Sequence, residues 1–142
     1  MLGFDHLGRM GQLGNQMFQF ASLKGIATNR GFDYMVANHK DTVVDSLGNK
    51  LRCELFNPFD VICRTGVMNT QYVNEPHFHF SQDLFDNCPD NVSLVGYYQS
   101  PKYFNHIADD IRYDFKFRHQ FQKPCEEMME ELDNPVALHV RR

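Results

Sequence analysis

The sequence predicts an α/β fold in which the strands run parallel to one another. Two strand-to-helix junctions, near residues 8–14 and 96–101, and a last apolar run at residues 136–140 indicate this fold. Parallel strands need long connections, because the chain must return to the same end of the sheet. The chain has 142 residues, which fits one domain. A domain of this size buries roughly two-thirds of its unfolded surface, enough for a sizeable core.

The N-terminal part contains the clearest pattern. A short strand is predicted over residues 2–7. Three glycines follow it at three-residue spacing: Gly8, Gly11 and Gly14. A helix is predicted over residues 15–30, with apolar residues on most of its sides, which indicates burial. Gly31 is well placed as its C-terminal cap, and residues 32–37 form a second strand, so this unit is the start of a βαβ fold.

The middle of the chain, residues 38–91, is less regular and is rich in Asn, Asp, Phe and His. Short strands are predicted near residues 50–56 and 72–73. A stronger strand pattern covers residues 92–97, which are apolar, β-branched and bounded by turn residues. This strand is expected to join the parallel sheet.

Two helices are predicted in the C-terminal third of the chain. Ser100 offers an N-cap and Pro101 a first helical residue, so one helix is expected to run to about residue 112. Pro124 is expected to open the second helix, which carries acidic residues in its first turn and an apolar face. Asn134 and the proline after it stop that helix.

Composition and charge exclude several classes of protein. The net charge of −4 predicts no basic face, so nucleic acid is not an expected partner. No apolar run reaches the ~18 residues that a transmembrane helix needs, and the first residues lack the pattern of a signal peptide. The four cysteines have no C-x-x-C spacing, and reduced cysteines are typical of a cytoplasmic protein.

Metal binding is not predicted. His77 and His79 could place two imidazoles on one strand face, but no third ligand has convincing spacing. Exposed histidines are the simpler interpretation. No metal cofactor is therefore expected.

The first segment that could carry chemistry is the glycine-rich stretch before the first helix. Glycines at Gly11 and Gly14 let the backbone come close to a ligand, and the helix that starts at Asn15 points free N–H groups at it. Asn15 and Gln16 add amides that both donate and accept hydrogen bonds. This combination suits a phosphate or a sugar hydroxyl. A tight turn followed by a helix cap is the alternative.

The second segment is the end of the last apolar run, where His139 is followed by Arg141 and Arg142. Residues 136–140 have the pattern of a buried strand, parallel to the others. Ligands sit beyond the carboxyl ends of strands in open α/β sheets, and paired guanidinium groups suit a diphosphate. A solvated basic terminus is the alternative interpretation.

The third segment, residues 96–104, lies at the junction that follows the strand over residues 92–97. Its tyrosines, with Gln99 and Ser100 beside them, are typical of sugar-binding surfaces. A packed edge of the core is the alternative, because such residues are common at turns. All three segments follow predicted parallel strands, so they are expected at one edge of the sheet.

Together these segments resemble glycosyltransferase family 11, the α-1,2-fucosyltransferases. Residues 11–21 resemble the N-terminal signature of that family, G-x-L-G-N-Q-M-F-Q-Y-A, with Phe20 in place of Tyr. Residues 96–104 resemble its G-Y-x-Q-S-x-K-Y-F segment, and residues 139–142 resemble the opening of its H-x-R-R-G-D motif. Residues 107–115 also match the usual run of the family, and the order of the segments agrees along the whole chain.

The resemblance implies a GT-B-like fold of two Rossmann-like halves. It also implies a metal-independent, inverting transfer of L-fucose from GDP-fucose to the O2 hydroxyl of a galactoside in glycan synthesis. The residues expected to bind the donor are Gly11, Gly14, Asn15, Gln16, His139, Arg141 and Arg142. No catalytic residue is assigned.

The same resemblance implies that residues 1–142 are a single N-terminal Rossmann-like domain, with the chain ending at the first strand of a second, donor-binding domain. Fucose transfer is therefore expected only when the missing half is supplied, for example as a separate partner chain. The expected location is cytoplasmic, with peripheral attachment to a membrane left open. The alternative function is a non-catalytic sugar-binding or half-enzyme module that needs a partner chain.

Overall fold

A computed structural model describes residues 1–140 and shows an α/β fold with Rossmann-like topology. The strands of the described residues are, in chain order, β1 (Leu2–Phe4), β2 (Tyr34–Val36), β3 (Val43–Val44), β4 (Lys50–Leu51), β5 (Arg64–Thr65), β6 (Gln71–Asn74) and β7 (Val92–Val95). The α-helices are α1 (Leu13–Arg30), α2 (Gln82–Asn87), α3 (Ala108–Asp114) and α4 (His119–Glu130). Two 3₁₀ turns precede α3: Pro101–Tyr103 and Asn105–Ile107.

Five strands form one sheet in the order β5-β2-β1-β7-β6, and every neighbouring pair is parallel. Helix α1 connects β1 to β2, and helix α2 connects β6 to β7. The predicted parallel arrangement is confirmed. Because the strands share one direction, the carboxyl ends of β1 and β7 lie side by side at one edge, where open α/β sheets bind ligands.

Helix α1 follows the sequence pattern closely. It begins at Leu13 rather than at residue 15, and it ends where Gly31 adopts the left-handed conformation with φ +67°. The N–H of Phe32 then donates to the carbonyl of Ala27 over 2.9 Å, which closes the last turn. The predicted glycine cap is confirmed.

One face of the sheet packs against α1 and forms the core. The fully buried residues there include Leu2, Phe4, Val36 and Leu94 from the strands, and Phe20, Leu23 and Ile26 from α1. A Cβ added to Gly3 would lie 2.5 Å from the sulfur of Met68, so the Met68 side chain packs directly on β1 at this glycine. The packing holds the N-terminus of α1 at the carboxyl edge of the sheet.

The helix predicted from Pro101 to about residue 112 is broken into three pieces. Pro101 does open a turn, but the hydroxyl of Ser100 makes no capping bond and the α-helix begins only at Ala108. The reason lies in packing, because the first 3₁₀ turn presses its backbone against α1 at Gly25. A regular helix starting at Pro101 is therefore a wrong prediction.

The second predicted helix begins earlier than expected. Pro124 was expected to open it, whereas α4 begins at His119 and holds Pro124 in its interior. The N–H of Arg118 donates to the carbonyl of Pro58 over 2.9 Å, and its guanidinium donates to the carbonyl of Phe56 over 3.0 Å. These contacts start the helix at a position that its own sequence does not mark.

The strand predicted over residues 136–140 is absent from the described sheet. These residues lie outside the secondary structure, with Val136 exposed to 92% and Leu138 to 87%. An apolar, β-branched run forms a strand only where a neighbour supplies hydrogen bonds, and no described strand pairs with this one. The prediction of a buried strand is wrong for the described residues.

The buried thiol of Cys88 and two half-buried groups, the thiol of Cys63 and the phenol of Tyr34, predict a loss of stability at high pH. Burial, and then the nearby carboxylate of Asp114, raises the pKa of Cys63 to about 11 and that of Tyr34 to about 12. Burial also raises the pKa of Cys88 to about 11. These groups stay neutral in the fold at pH values where they ionise in the unfolded chain, so their stabilising effect is complete below about pH 9. We expect the urea midpoint to fall steadily between about pH 9 and pH 12.

The control for the predicted loss of stability at high pH is the ionisation of tyrosine itself, which is measured by the ultraviolet absorbance of tyrosinate. Burial raises the pKa of Tyr34, Tyr98 and Tyr103, so these three should ionise at higher pH in the folded protein than in the urea-unfolded chain. A urea midpoint that stays constant up to pH 12 would contradict the assignment of these groups to buried sites.

Candidate functional site

A cleft of about 900 Å³ lies at the carboxyl edge of the sheet, beyond β1 and β7. Three parts of the chain line it, together with His139. The glycine loop (residues 8–12) and α1 contribute Gly11, Gln12, Gly14, Asn15 and Phe18. The β3–β4 hairpin contributes Asp45, Leu47, Asn49 and Leu51, and the turn after β7 contributes Tyr97 and Gln99. The first and third segments meet at this edge after β1 and β7, as expected. His139 of the second segment also lines the cleft, although the strand expected before it is not formed. Arg141 and Arg142 lie outside the described residues.

Asn15 and Gln99 connect two of the predicted segments. The amide nitrogen of Gln99 donates to the side-chain oxygen of Asn15 over 2.6 Å. The amide nitrogen of Asn15 remains a donor on the lining of the cleft. Gly11, with φ +78°, lies against Asn15, and a Cβ there would come within 2.6 Å of the Asn15 Cβ. The glycine is required by both its conformation and this contact.

Gly14 differs from Gly11. It lies in the first turn of α1, and a Cβ added to it would meet nothing within 4 Å. Because Gly14 also lines the cleft, that open space belongs to the cleft. A larger residue here would fill ligand space and leave the fold undisturbed.

Gln16 does not reach the cleft. It is fully buried, and its amide nitrogen donates to the carbonyls of Arg52 (2.9 Å) and Gly11 (3.3 Å). Its side-chain oxygen accepts from the backbone N–H of Glu54 (2.8 Å) and of Leu55 (3.2 Å). All four hydrogen-bonding positions of the amide are therefore occupied. Gln16 holds the glycine loop and the chain after β4 together, and it has no free group for a ligand.

Gln19 is a second positioning residue, and the sequence reasoning missed it. Its buried amide nitrogen donates to the carbonyl of Met10 in the glycine loop (3.2 Å) and to that of Gly96 after β7 (2.9 Å). Its side-chain oxygen has no partner among the described residues. A glutamine within a helix whose apolar residues predict burial was the available signal. Gln19 fixes the distance between the two backbone segments that flank the cleft.

The turn after β7 is held by a carboxylate that the sequence reasoning also missed. Glu75 accepts from the backbone N–H groups of Tyr97 (2.9 Å) and Tyr98 (3.0 Å). Tyr98 is buried with φ +52°, a strained conformation for a bulky residue, and its carbonyl accepts from the hydroxyl of Ser22 over 3.1 Å. This arrangement turns Tyr98 into the core and leaves Tyr97 on the cleft.

The described lining of the cleft carries little charge. Its ionisable side chains, apart from the phenol of Tyr97, are Asp45 and His139, and it includes no Lys or Arg. The side-chain hydrogen bond from Asn49 is the main cause that lowers the pKa of Asp45. Arg9, in the glycine loop, lies outside the lining and pairs with Asp41 over 2.6 Å. The described part of the cleft therefore suits a neutral, hydroxyl-rich ligand.

Within residues 1–140, no group of three or more His, Cys, Asp or Glu is arranged to hold a metal ion. None of the described helices combines the length and the apolar character that crossing a membrane requires. Comparisons of the chain with models of protein families, with curated proteins and with solved structures found no match.

Proposed function

We propose that this chain supplies one Rossmann-like domain of a GT-B-like α-1,2-fucosyltransferase, which moves L-fucose from GDP-fucose to the O2 hydroxyl of a galactoside. One observation carries the proposal: residues 11–15, residues 97–99 and His139 meet around one cleft. Each of these belongs to a stretch that resembles a fucosyltransferase motif. A shared cleft is what a single binding site would need, and the Asn15–Gln99 bond joins two of these segments directly.

The side chains of the cleft support a sugar as the ligand. Amides such as those of Asn15 and Asn49 both donate to and accept from hydroxyl groups. The rings of Phe18 and Tyr97 offer apolar surface to the C–H groups of a pyranose. A few convergent polar groups beside apolar surface are typical of small-molecule sites.

The reaction also needs positive charge. As fucose is transferred, the bond from its C1 to the diphosphate oxygen breaks, while O2 of the galactoside bonds to C1 and gives its proton to a general base, a role to which no residue of this chain is assigned. The leaving diphosphate gains negative charge, which fixed cations stabilise. Arg141 and Arg142 remain the predicted ligands of that diphosphate. Gly11, Gly14 and Asn15 are proposed to contact the sugar or phosphate through backbone and amide groups.

A second candidate function is a non-catalytic sugar-binding or half-enzyme module that works with a partner chain. The near-neutral described lining favours it, since the wall carries amides and aromatic rings and neither Lys nor Arg. The two functions differ in their response to the donor. A sugar-binding module binds a galactoside and transfers nothing from GDP-fucose, even when a second domain is supplied.

We predict that the chain binds methyl β-galactoside or GDP-fucose in this cleft and that Asn15→Ala weakens this binding about fivefold, because it removes a hydrogen bond worth on the order of 1 kcal/mol. Affinities are measured by nuclear magnetic resonance titration. Fucosylated product, detected by mass spectrometry, is expected only when a donor-binding domain is present.

The matched control is Asn105→Ala, because Asn105 is an exposed asparagine of the second 3₁₀ turn and lies outside the lining of the cleft. This variant should bind as the unchanged protein does. Binding of neither probe by the unchanged chain would refute the proposed function. If Asn15→Ala and Asn105→Ala lost affinity equally, the binding site would not be this cleft.

A further inference from the structure

The β3–β4 hairpin forms a wall of the cleft that none of the three motif-like segments includes. Val43 pairs with Leu51 and Val44 with Lys50, in antiparallel register. The residues at alternate positions 45, 47, 49 and 51 line the cleft. Because side chains alternate between the two faces of a strand pair, Val44 and Lys50 lie on the opposite face, and neither of them lines the cleft.

The two leucines of this wall differ in burial. Leu51 is 7% exposed and anchors the base of the hairpin, whereas Leu47 at its tip is 85% exposed. Leu47 therefore holds an apolar side chain, nearly uncovered, over a cleft whose other wall carries the Asn15 and Gln99 amides. Covering such a side chain with ligand removes apolar surface from water and is favourable.

The tip is shaped by its own hydrogen bonds. The N–H of Asp45 donates to the carbonyl of Asn49 (3.0 Å), and the N–H of Gly48 donates to the carbonyl of Asp45 (3.1 Å). The Asp45 carboxylate accepts from the N–H groups of Leu47 (2.9 Å) and Asn49 (2.8 Å). Gly48, with φ +82°, supplies the left-handed residue of the turn. The hairpin keeps this shape without pairing to the main sheet, since its two strands form a separate sheet.

From this geometry we infer that the β3–β4 hairpin is the sugar-selecting wall of the cleft: it places Leu47 against the C–H face of a neutral pyranoside whose hydroxyls bond to the amides opposite. The inference rests on the proposed function and names a part of its site. The Asp45 carboxylate is held by the N–H groups of its own turn and remains anionic, so it disfavours an anionic sugar, and the apolar tip disfavours charged sugars in general. Selectivity then depends on which ring face is free of axial hydroxyls.

The test compares two substitutions on one hairpin. Leu47→Ala should weaken the binding of methyl β-galactoside about tenfold, as expected when a leucine loses its covered surface. Val44→Ala removes a similar side chain, 65% exposed, from the opposite face, and it should leave the affinity unchanged. Both positions are exposed, so both variants should fold as the unchanged protein does. Affinity is measured by nuclear magnetic resonance titration with the full chain.

A second measurement follows the hairpin directly. Hydrogen exchange at the N–H groups of Leu47 and Asn49 should slow when methyl β-galactoside is added, because the sugar covers the turn, and it should not slow in Leu47→Ala. If the unchanged chain binds the sugar and both variants bind it equally, the inference is overturned while the proposed function stands. If the unchanged chain binds no galactoside, this inference fails together with the assignment of the cleft to a sugar acceptor.

Discussion

Replacing Gly25 with alanine is expected to destabilise the fold by about 3 kcal/mol, the range for forcing extra atoms into a packed interior. In most helix interiors the same change stabilises by about 1 kcal/mol, because alanine has the higher helix propensity. Gly25 is different because α1 touches the first 3₁₀ turn there. A Cβ would overlap the carbonyl oxygen of Tyr103 and lie 2.9 Å from the Cα of Phe104. Both neighbours are backbone atoms, which move only if the turn moves.

Gly14→Ala is the matched control, since Gly14 lies in the same helix and a Cβ there meets nothing within 4 Å. It should keep or raise the free energy of unfolding. Urea denaturation followed by circular dichroism measures both variants. If the two variants had equal stability, the close contact between α1 and the 3₁₀ turn would be wrong.

Replacing Gln16 with leucine is expected to cost about 3 kcal/mol or more, because several buried backbone groups lose their partner at once. The N–H groups of Glu54 and Leu55 would lose their acceptor. The carbonyls of Arg52 and Gly11 would lose a donor. Each unsatisfied buried group costs on the order of 1–3 kcal/mol, and relaxation of the loop recovers part of the sum. The glycine loop should also be held less firmly in the Gln16→Leu variant, because Gln16 bonds to the carbonyl of Gly11.

Two variants test this role for Gln16. Gln12→Leu is the control, because Gln12 is exposed and its side chain makes no capping bond, so its effect on stability should be small. Gln16→Glu keeps an acceptor for Glu54 and Leu55. At low pH its protonated carboxyl still donates one O–H, so the variant should be intermediate, whereas at neutral pH the carboxylate donates nothing to the carbonyls of Arg52 and Gly11, and the variant should be poor. If Gln16→Leu matched Gln12→Leu in urea unfolding, the bonds assigned to Gln16 would be refuted.

The sequence by itself determined the N-terminal unit of the fold. The glycine loop, helix α1, its cap at Gly31 and the strand β7 all follow from local signals. A left-handed glycine or an apolar run has much the same meaning wherever it occurs, so no distant contact is needed to interpret it. The meeting of the segments after β1 and β7 at one edge also followed, because parallel strands end on the same side. The place of His139 did not follow in this way, since residues 136–140 form no strand.

The tertiary structure determined the elements whose formation depends on a partner far away in the sequence. Residues 136–140 have a strand pattern but no described strand to pair with, and Arg118 starts α4 through carbonyls about 60 residues away. The hairpin wall of the cleft came from a segment without a clear pattern. Propensity does not specify such contacts, because they depend on which backbone groups the fold brings close.

Asn15 and Gln16 show most directly what the sequence determined and what the tertiary structure decided. The sequence presents them as neighbouring amides with the same chemistry, and both were expected to bind a ligand. Successive residues of a helix point about 100° apart, so only one of the two can face a given surface. The packing of α1 on the sheet turns Asn15 toward the cleft and Gln16 toward the backbone of Arg52 and Glu54. The sequence supplied the amides, and the rotation of the helix assigned one to the cleft and the other to the fold.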